Sequence, residues 1–146
     1  MTVSFFGHRN VFRPIYATLK QTVTELIKDA GADYFFVGNE GDFDRLALAV
    51  LRELSVVYPH VQYAVVLSRI PNAAQQEYFS PFETLYPETV AASPPRFAID
   101  RRNRWMVEKS DLAVTYVTTS YGGAAKAKAH ALRKGKRVIE LSDQNK

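Results

Sequence analysis

The sequence predicts one α/β domain with a doubly wound, mostly parallel five-stranded sheet flanked by helices. Its 146 residues suit a single domain, and its composition of 47% hydrophobic and 23% charged residues is typical of globular proteins. Apolar periodicity alternates along the chain between strand-like and helix-like spacing, in the order β-α-β-α-β-loop-α-β-α-β. Right-handed crossovers in such a chain place helices on both faces of the sheet. Residues 1–146 are therefore expected to form one Rossmann-like domain, without an internal repeat or linker.

The first half of the chain contains three predicted strands and two predicted helices. The strands are short apolar runs, at Val3–Phe6, Tyr34–Val37 and Gln62–Leu67. Between them, apolar residues recur at helical spacing from Ile15 to Ile27 and from Phe43 to Val57. Pro14 suits the first turn of the first helix, and Pro59 follows the end of the second.

Regular patterning stops between Ser68 and Ile99, where five of the seven prolines lie. Irregular segments of this length are uncommon inside a compact domain, so residues 68–99 are predicted to be a long irregular insertion, a lid or a partner surface. Order returns at Asp100, the predicted N-cap of a helix that ends near Lys109. The remaining predicted elements are the strand Leu112–Val117, the helix Gly123–Lys134 and the strand Arg137–Leu141.

Composition excludes several functional classes. The chain has no cysteine and three scattered histidines, so we expect neither a disulfide framework nor a metal site, and no motif calls for a cofactor. No apolar run approaches the ~20 residues that span a bilayer, and the N-terminus lacks a secretory pattern. We therefore expect a cytoplasmic protein without membrane contact, and a homo-oligomer. The net charge of +4 suits a phosphorylated ligand as well as nucleic acid.

The first candidate binding loop follows the first strand. Ligands of open parallel sheets bind beyond the carboxyl ends of the strands, where strand order reverses, and we expect the first and fourth strands to be neighbours there. The loop contains Gly7, His8 and Arg9. Glycine allows close backbone approach to a ligand, and a guanidinium matches phosphate. His8 either donates to a phosphate or has a structural role, and a plain turn with a solvated arginine is the alternative.

The second candidate loop follows the fourth strand and contains Ser120, Tyr121, Gly122 and Gly123. Paired glycines at a strand-to-helix turn expose backbone N–H groups, and the helix N-terminus favours an anion. The loop matches neither the Walker A pattern nor GxGxxG, so P-loop and dinucleotide interpretations lose support. The alternative is a turn without a ligand, covered by Tyr121.

Acidic residues follow the second strand, in the segment that begins Gly38-Asn39-Glu40 and also contains Asp42 and Asp44. An acidic side chain there often contacts ribose hydroxyls in nucleotide-binding sheets, although both aspartates also suit a helix start.

Two groups of cations complete the candidate residues. Arg101 and Arg102 lie in a predicted first helical turn, where the helix dipole disfavours cations unless an anion is present; two solvated arginines are the alternative. A second group lies on the last helix and its exit, at Lys126, Lys128, Arg133, Lys134, Lys136 and Arg137. A solvated face is its default explanation. Nucleic-acid binding by this cluster is the lesser alternative, because no aromatic residues are interleaved with its cations.

Three stretches resemble the SLOG superfamily, Rossmann-like proteins that include the Smf/DprA DNA-processing proteins and the LOG nucleotide phosphoribohydrolases. They are TVSFFGHR, YFFVGNEGDFDRLALAVLREL and PPRFAIDRRNRWMVEKSDLAVTYVTTSYGGAAKAKAHALRKGKRVI, about half of the chain. The closest likeness is to small bacterial SLOG proteins of uncharacterised function. The resemblance implies a nucleotide-derived ligand between the first-strand loop and the Gly122-Gly123 loop.

The resemblance also locates a departure from the LOG pattern PGGxGTxxE. Ala125 and Lys126 stand where its third glycine and its threonine would be, and Ala129 stands where the catalytic glutamate would be. Glycosidic cleavage builds positive charge on the ribose, which a carboxylate stabilises. The leading hypothesis is thus a nucleotide sensor that holds phosphate with Gly122, Gly123 and Arg101. The alternatives are a phosphoribohydrolase-like enzyme, with Glu40, Asp44 and Arg101 as catalytic candidates, and a DprA-like nucleic-acid-processing accessory protein.

Overall fold

The computed structural model describes residues 1–144 and contains a six-stranded, fully parallel sheet in the order β4-β3-β2-β1-β5-β6. The strands are β1 (Thr2–Gly7), β2 (Tyr34–Val37), β3 (Gln62–Val66), β4 (Thr84–Leu85), β5 (Leu112–Tyr116) and β6 (Arg137–Glu140). The chain runs outward from β1 to β4 and then returns to the other side of β1. Strand order therefore reverses between β1 and β5, as the sequence predicts.

Helices cover both faces of the sheet. The helices are α1 (Tyr16–Asp29), α2 (Asp42–Val57), α3 (Ala73–Tyr78), α4 (Glu88–Ala91), α5 (Ala98–Lys109), α6 (Gly123–Arg133) and α7 (Leu141–Gln144). Apolar residues of α1, α2 and α7 form one buried cluster with the sheet, and those of α5 and α6 form another on the opposite face. Burial on both faces explains why the central strands are continuous apolar runs rather than alternating ones.

Strand β1 shows how the two clusters share the sheet. Val3 and Phe5 face the α1–α2 side, whereas Phe6 packs on the α5–α6 side. Ser4 is fully buried, and its hydroxyl donates to the carbonyl of Met106 and bonds the hydroxyl of Ser110. This polar contact ties the centre of the sheet to the end of α5 without leaving a buried group unpaired.

Residues 68–99 contain more regular structure than the sequence predicts. They form α3, β4 and α4, together with single 3₁₀ turns at Pro81–Glu83 and Pro95–Phe97. Strand β4 pairs with Val65 and Val66 of β3 and is the sixth strand of a sheet predicted to have five. These elements have two to six residues each, too few for periodicity to identify.

Several predicted boundaries also shift. Helix α1 begins at Tyr16, after Pro14, and α5 begins at Ala98. The prediction that Asp100 is an N-cap is therefore wrong: Asp100 lies in the first turn of α5 and pairs with Arg104 and Lys126. The short helix α7 was not predicted.

Glu83 connects the 68–99 segment to α2 and to the sheet through hydrogen bonds. Its carboxylate accepts hydrogen bonds from Nε and Nη2 of Arg52 on α2, at 2.8 and 2.9 Å, and from the hydroxyl of Tyr63 on β3 at 2.5 Å. The Arg52 hydrogen bonds, against an opposing effect of burial, lower the pKa of Glu83 to about 2. The carboxylate therefore stays ionised through the physiological range.

Glu83→Gln is expected to loosen this segment at pH 7, by about 1–2 kcal/mol, because the charge-assisted bonds are lost. An unfolded glutamate has a pKa of ~4.3, so the native contribution is complete above that pH and disappears as pH falls toward 2. Limited proteolysis within residues 68–99 measures the effect at pH 7, and urea unfolding from pH 7 to 3 measures its decline. Equal cleavage rates of variant and native chains would show that Glu83 does not hold the segment.

Candidate functional site

A cleft of about 720 Å³ opens at the carboxyl ends of β1, β2 and β5. Its lining comes from the loops after these three strands and from the start of α5. The residues are Phe5, Phe6, Gly7, His8, Arg9, Asn10, Phe12, Arg13, Gly38, Glu40, Asp44, Ile99, Arg102, Asn103, Tyr116, Thr118, Thr119, Tyr121, Gly122, Gly123 and Ala124. The loops after the first and fourth predicted strands therefore share one concave surface.

The loop after β5 presents the bare N-terminus of α6 to this cleft. Gly122 is the N-cap, with φ of 94°, a conformation that glycine adopts without strain. Among the described residues, no side chain forms a capping hydrogen bond with this helix, and its first turn contains no acidic residue. Gly122, Gly123 and Ala124 all line the cleft. The unpaired N–H groups and the helix dipole make this corner suited to an anion.

His8 connects the two loops directly. The backbone N–H of Thr118 donates to Nε2 of His8 at 2.8 Å, and the Thr118 hydroxyl lies 3.2 Å from the same nitrogen. An Nε2 that accepts from an amide carries no proton, so the bond requires the neutral ring protonated at Nδ1. In this arrangement His8 is a structural link between the walls of the cleft.

Gly7 makes room for a core side chain. A Cβ added at Gly7 would lie 2.2–2.6 Å from three atoms of Phe43, a fully buried residue in the first turn of α2. The close approach inferred from the glycine is thus to Phe43, although Gly7 also lines the cleft.

A buried pair of charged residues lies at the end of β2. Asp44 and Arg102 are 8% and 3% exposed, and both line the cleft. Burial, partly opposed by the charge of Arg102, raises the pKa of Asp44 to about 6. Arg102 donates to the carbonyl of Val66 at 3.3 Å and to Oδ1 of Asn39 at 2.9 Å, so it also joins α5 to β3 and to the loop after β2.

The structure brings most of the predicted site residues together. Those that line the cleft are Gly7, His8, Arg9, Gly38, Glu40, Asp44, Arg102, Tyr121, Gly122 and Gly123. Asn39 lies behind the lining, bonded to Arg102, and Ser120 is exposed beside it. Arg101 is exposed and lies outside the lining. Of the two adjacent arginines, Arg102 is therefore the one that reaches the cleft.

The cleft also has lining residues that were not predicted, notably Phe12, Arg13 and Asn103. The predicted connection between the first strand and the first helix ran from Gly7 to Pro14, and the observed one runs from His8 to Ile15. Only its first three residues were singled out as candidates, so its length was the available signal. Phe12 and Tyr121 are 92% and 75% exposed. Exposed rings beside a cleft can stack against planar groups of a ligand.

Positive charge is concentrated in one part of the chain. Residues 98–140 contain ten Lys/Arg and four Asp/Glu, whereas the remaining residues contain nine and eleven. Some of these cations are paired: Lys126 with Asp100, Lys134 with Glu108 and Lys128 with Glu140. Acidic partners thus neutralise part of the positive charge on the last helix. Residues 98–140 as a whole still carry an excess of positive charge.

Glu140 stabilises the backbone from which the β5–α6 loop departs. Burial raises its pKa, but hydrogen bonds from the Thr115 hydroxyl, the Val117 N–H, Lys128 and Ser142 outweigh this and lower the pKa to about 2. The Val117 N–H donates to the Glu140 carboxylate at 2.9 Å. The start of the loop is therefore fixed, whereas a Cβ added at Gly122 would have no atom of residues 1–144 within 4 Å other than those of its chain neighbours.

No protein-family model and no curated protein matches this sequence. Among solved structures, it is similar to DNA processing protein A (DprA) from Streptococcus pneumoniae, with a TM-score of 0.68 and 13% identity over 94% of this chain and 48% of that one. It is also similar to DprA from Helicobacter pylori, with a TM-score of 0.68 and 15% identity over 99% of this chain and 70% of that one. This chain shares the DprA fold.

The likeness to DprA confirms the Rossmann-like expectation at the level of the fold. This chain spans about half the length of the S. pneumoniae protein. The H. pylori structure concerns a single-stranded DNA binding mode of that protein.

Within residues 1–144, no three His, Asp or Glu side chains are grouped so that they could bind a metal ion. None of the helices in the same range is long and apolar enough to span a bilayer.

Proposed function

We propose that this protein binds a nucleotide or nucleotide-derived ligand in the cleft between the β1 and β5 loops, as a sensor or regulator. The observation that carries the proposal is the convergence of the uncapped α6 N-terminus and the His8-Arg9 loop on one cavity. Phosphate would lie against the N–H groups of Gly123 and Ala124, where the helix dipole favours negative charge.

The rings beside this corner support a ligand that carries a base. Phe12 and Tyr121 both line the cleft and are largely exposed. Stacking on a purine or pyrimidine would cover part of this apolar surface, at ~1–3 kcal/mol per stacked base. Arg9, whose side chain is 68% exposed, adds a cation that reaches toward the cleft.

A panel of AMP, GMP, CMP and UMP, with the matching nucleosides, tests this function by thermal shift. At least one monophosphate is expected to raise the melting temperature, and its nucleoside to raise it less, because the nucleoside lacks the group that the α6 N-terminus holds. No shift with any monophosphate, or equal shifts for monophosphates and nucleosides, would contradict the proposal.

The same incubations distinguish a binding protein from a phosphoribohydrolase-like enzyme. Release of free base, detected by chromatography, would identify the enzyme. We expect stabilisation without base release, because Ala129 replaces the catalytic glutamate of the LOG pattern. If base is released, Asp44→Asn and Glu40→Gln are the variants that identify the substituting carboxylate.

Single-stranded DNA is the second candidate ligand, favoured by the positive excess in residues 98–140 next to the cleft and by the likeness to DprA. A strand would place one nucleotide in the cleft and run its backbone over α5 and α6. Affinity for a fluorescent oligothymidine would then fall steeply with salt, with a log–log slope of about −0.7 per neutralised phosphate. A free nucleotide held only in the cleft would show a much smaller slope.

Arg133→Ala separates the two candidates. Arg133 is exposed in the last turn of α6 and lies outside the cleft lining. For a strand, its loss is expected to weaken binding several-fold and to reduce the salt slope by about 0.7. For a free nucleotide, binding should be unchanged. Lys28→Ala, a cation at the end of α1 on the opposite face of the sheet, is the matched control.

A further inference from the structure

A hydrogen bond crosses the cleft between the loops after β1 and β5. The backbone N–H of Thr118 donates to Nε2 of His8 at 2.8 Å, and both residues line the cleft. His8 is half-buried, and its ring packs edge-on against the ring of Tyr116 in β5, with 6.1 Å between the centroids. The hydrogen bond between His8 and Thr118 is called the cross-loop bond below.

The backbone on each side of the cross-loop bond is held by other contacts. The carbonyl of His8 accepts from the N–H of Phe43 in α2 at 3.4 Å. On the facing loop, the N–H of Val117 donates to the Glu140 carboxylate at 2.9 Å. Loss of the cross-loop bond is therefore expected to move the imidazole ring and the Thr118 peptide, while the walls of the cleft stay in place.

The cross-loop bond requires one protonation state of His8. An imidazolium has an N–H at both nitrogens, so a proton on Nε2 would face the N–H of Thr118, and two donors cannot bond each other. The Thr118 hydroxyl lies 3.2 Å from Nε2 and can accept from the protonated nitrogen. Protonation would thus free the backbone N–H of Thr118 while the ring stays beside the loop.

The charged groups that line the cleft around His8 come from its own loop, from the loop after β2 and from the helices α2 and α5. Together with Tyr116 and the phenol of the β5–α6 loop, the titratable and charged groups are Arg9, Arg13, Glu40, Asp44, Arg102 and Tyr121. Nε2 of His8 bonds Thr118 rather than any carboxylate among them. Three guanidinium groups and two carboxyl groups together carry no excess of negative charge, which a bound phosphate would supply.

We propose that a phosphate group bound in the cleft drives protonation of His8 and breaks the cross-loop bond, so that nucleotide binding takes up a proton. The inference rests on the proposed nucleotide-binding function. The proton comes from solvent and is held by Nε2. The phosphate stabilises the imidazolium beside it, and the released Thr118 N–H becomes a further donor to the ligand, in addition to those of Gly123 and Ala124. An imidazole changes charge between about pH 5 and 8, so the coupling operates near neutral pH.

The imidazole nitrogens of the native chain test this proton directly. In long-range ¹H–¹⁵N spectra at pH 7 without ligand, Nε2 of His8 is expected to be mainly unprotonated. Saturation with the most stabilising monophosphate of the panel is expected to move its resonance to the protonated position and to shift the Thr118 amide with the same midpoint. An Nε2 that stays unprotonated in the saturated complex at pH 7 and at pH 6 would overturn the inference.

Isothermal titration calorimetry counts the protons taken up. The same monophosphate is titrated at pH 7 in PIPES and in imidazole buffer, because the difference between the two binding heats is proportional to the number of protons exchanged. His8→Gln keeps an oxygen that can accept from Thr118 but does not titrate. The variant is expected to take up fewer protons than the native chain, by up to about one per ligand. The ligand's own phosphate titrates near pH 6, equally in both chains.

The affinities change with pH in the same sense. A ligand that favours the protonated ring binds more tightly as pH falls, by up to about tenfold per pH unit for one proton. The ratio of native to His8→Gln affinity is therefore expected to rise from pH 8 to pH 6. A ratio that stays constant over this range would contradict the coupling.

His60→Gln is the matched control. His60 is exposed, lies just before β3 at the amino ends of the strands, and is outside the cleft lining. Its proton uptake and its affinities should equal those of the native chain. Equal uptake in the native chain and in His8→Gln would overturn the proton coupling and leave the nucleotide function intact, and the spectra of the native chain decide the question if His8→Gln does not fold. Failure of every monophosphate to bind would overturn both.

Discussion

Gly123→Leu is expected to abolish stabilisation by nucleoside monophosphates while leaving the fold intact. Gly123 is the first residue of α6 and lines the cleft. Apart from its chain neighbours and the backbone of α6 itself, no atom of residues 1–144 lies within 4 Å of the place where its Cβ would be. The leucine side chain therefore enters open space in the cleft rather than the core. There it covers the N–H groups that the proposal assigns to phosphate, and the loss of affinity is expected to be 100-fold or more, or about 2.7 kcal/mol.

Gly123→Ala is the graded control for this result. A single methyl group fits the open space, and alanine is the better helix former, so we expect unchanged or slightly raised stability and largely retained binding. The melting temperature of the leucine variant without ligand reports on the fold, and the shift with ligand reports on the site. A leucine variant that still binds at native affinity would show that the α6 N-terminus does not hold the phosphate.

Gly7→Ala is expected to have the largest effect on stability of any single methyl addition in the cleft. The new Cβ would lie 2.2 Å from Cγ of Phe43, whose ring is fully buried and stacks against Tyr116 at 6.3 Å. Gly7 is also paired in the sheet with Tyr116. The backbone of Gly7 and the ring of Phe43 therefore cannot move apart without disturbing the sheet or the core. Overpacking of this kind costs about 1–3 kcal/mol, measurable by urea unfolding.

A second substitution shows whether Phe43 is the cause. Phe43→Leu alone removes part of the ring and should destabilise the domain, but combined with Gly7→Ala it should recover part of the loss. The double-mutant cycle is expected to give a coupling energy above about 0.5 kcal/mol. Additive effects of the two substitutions would show that Gly7 is required for another reason.

The long elements of the fold could be predicted from the sequence because their patterns are local. The bounds of β2 were predicted to the residue, and the β1–β5 neighbourhood followed from alternation and handedness. Strand β4 could not be predicted in this way, because two residues form no pattern and its pairing with Val65 and Val66 depends on where Glu83 holds the segment. Helix α7 has only four residues and presented the same difficulty.

The positions of the candidate loops could be predicted because backbone topology decides them, whereas the choice of side chains that line the cleft could not, because side-chain direction decides it. The loops containing His8 and Gly123 share a cleft because parallel strands end at the same edge. Arg101 and Arg102 are adjacent, and which of them reaches the cleft depends on the rotation of α5 against the sheet, which no local pattern reveals. The role of Gly7 depends on Phe43, a contact over 36 positions of sequence that only the packed structure shows.

Amide chemical shifts in the ¹⁵N-labelled protein, followed during titration with the most stabilising monophosphate, test the shared anion-binding cleft most directly. We expect saturable shifts of the Thr118, Gly123 and Ala124 amides, together with those of His8 and Arg9 on the facing loop. Saturable shifts confined to other surfaces, with these five amides unmoved, would contradict it.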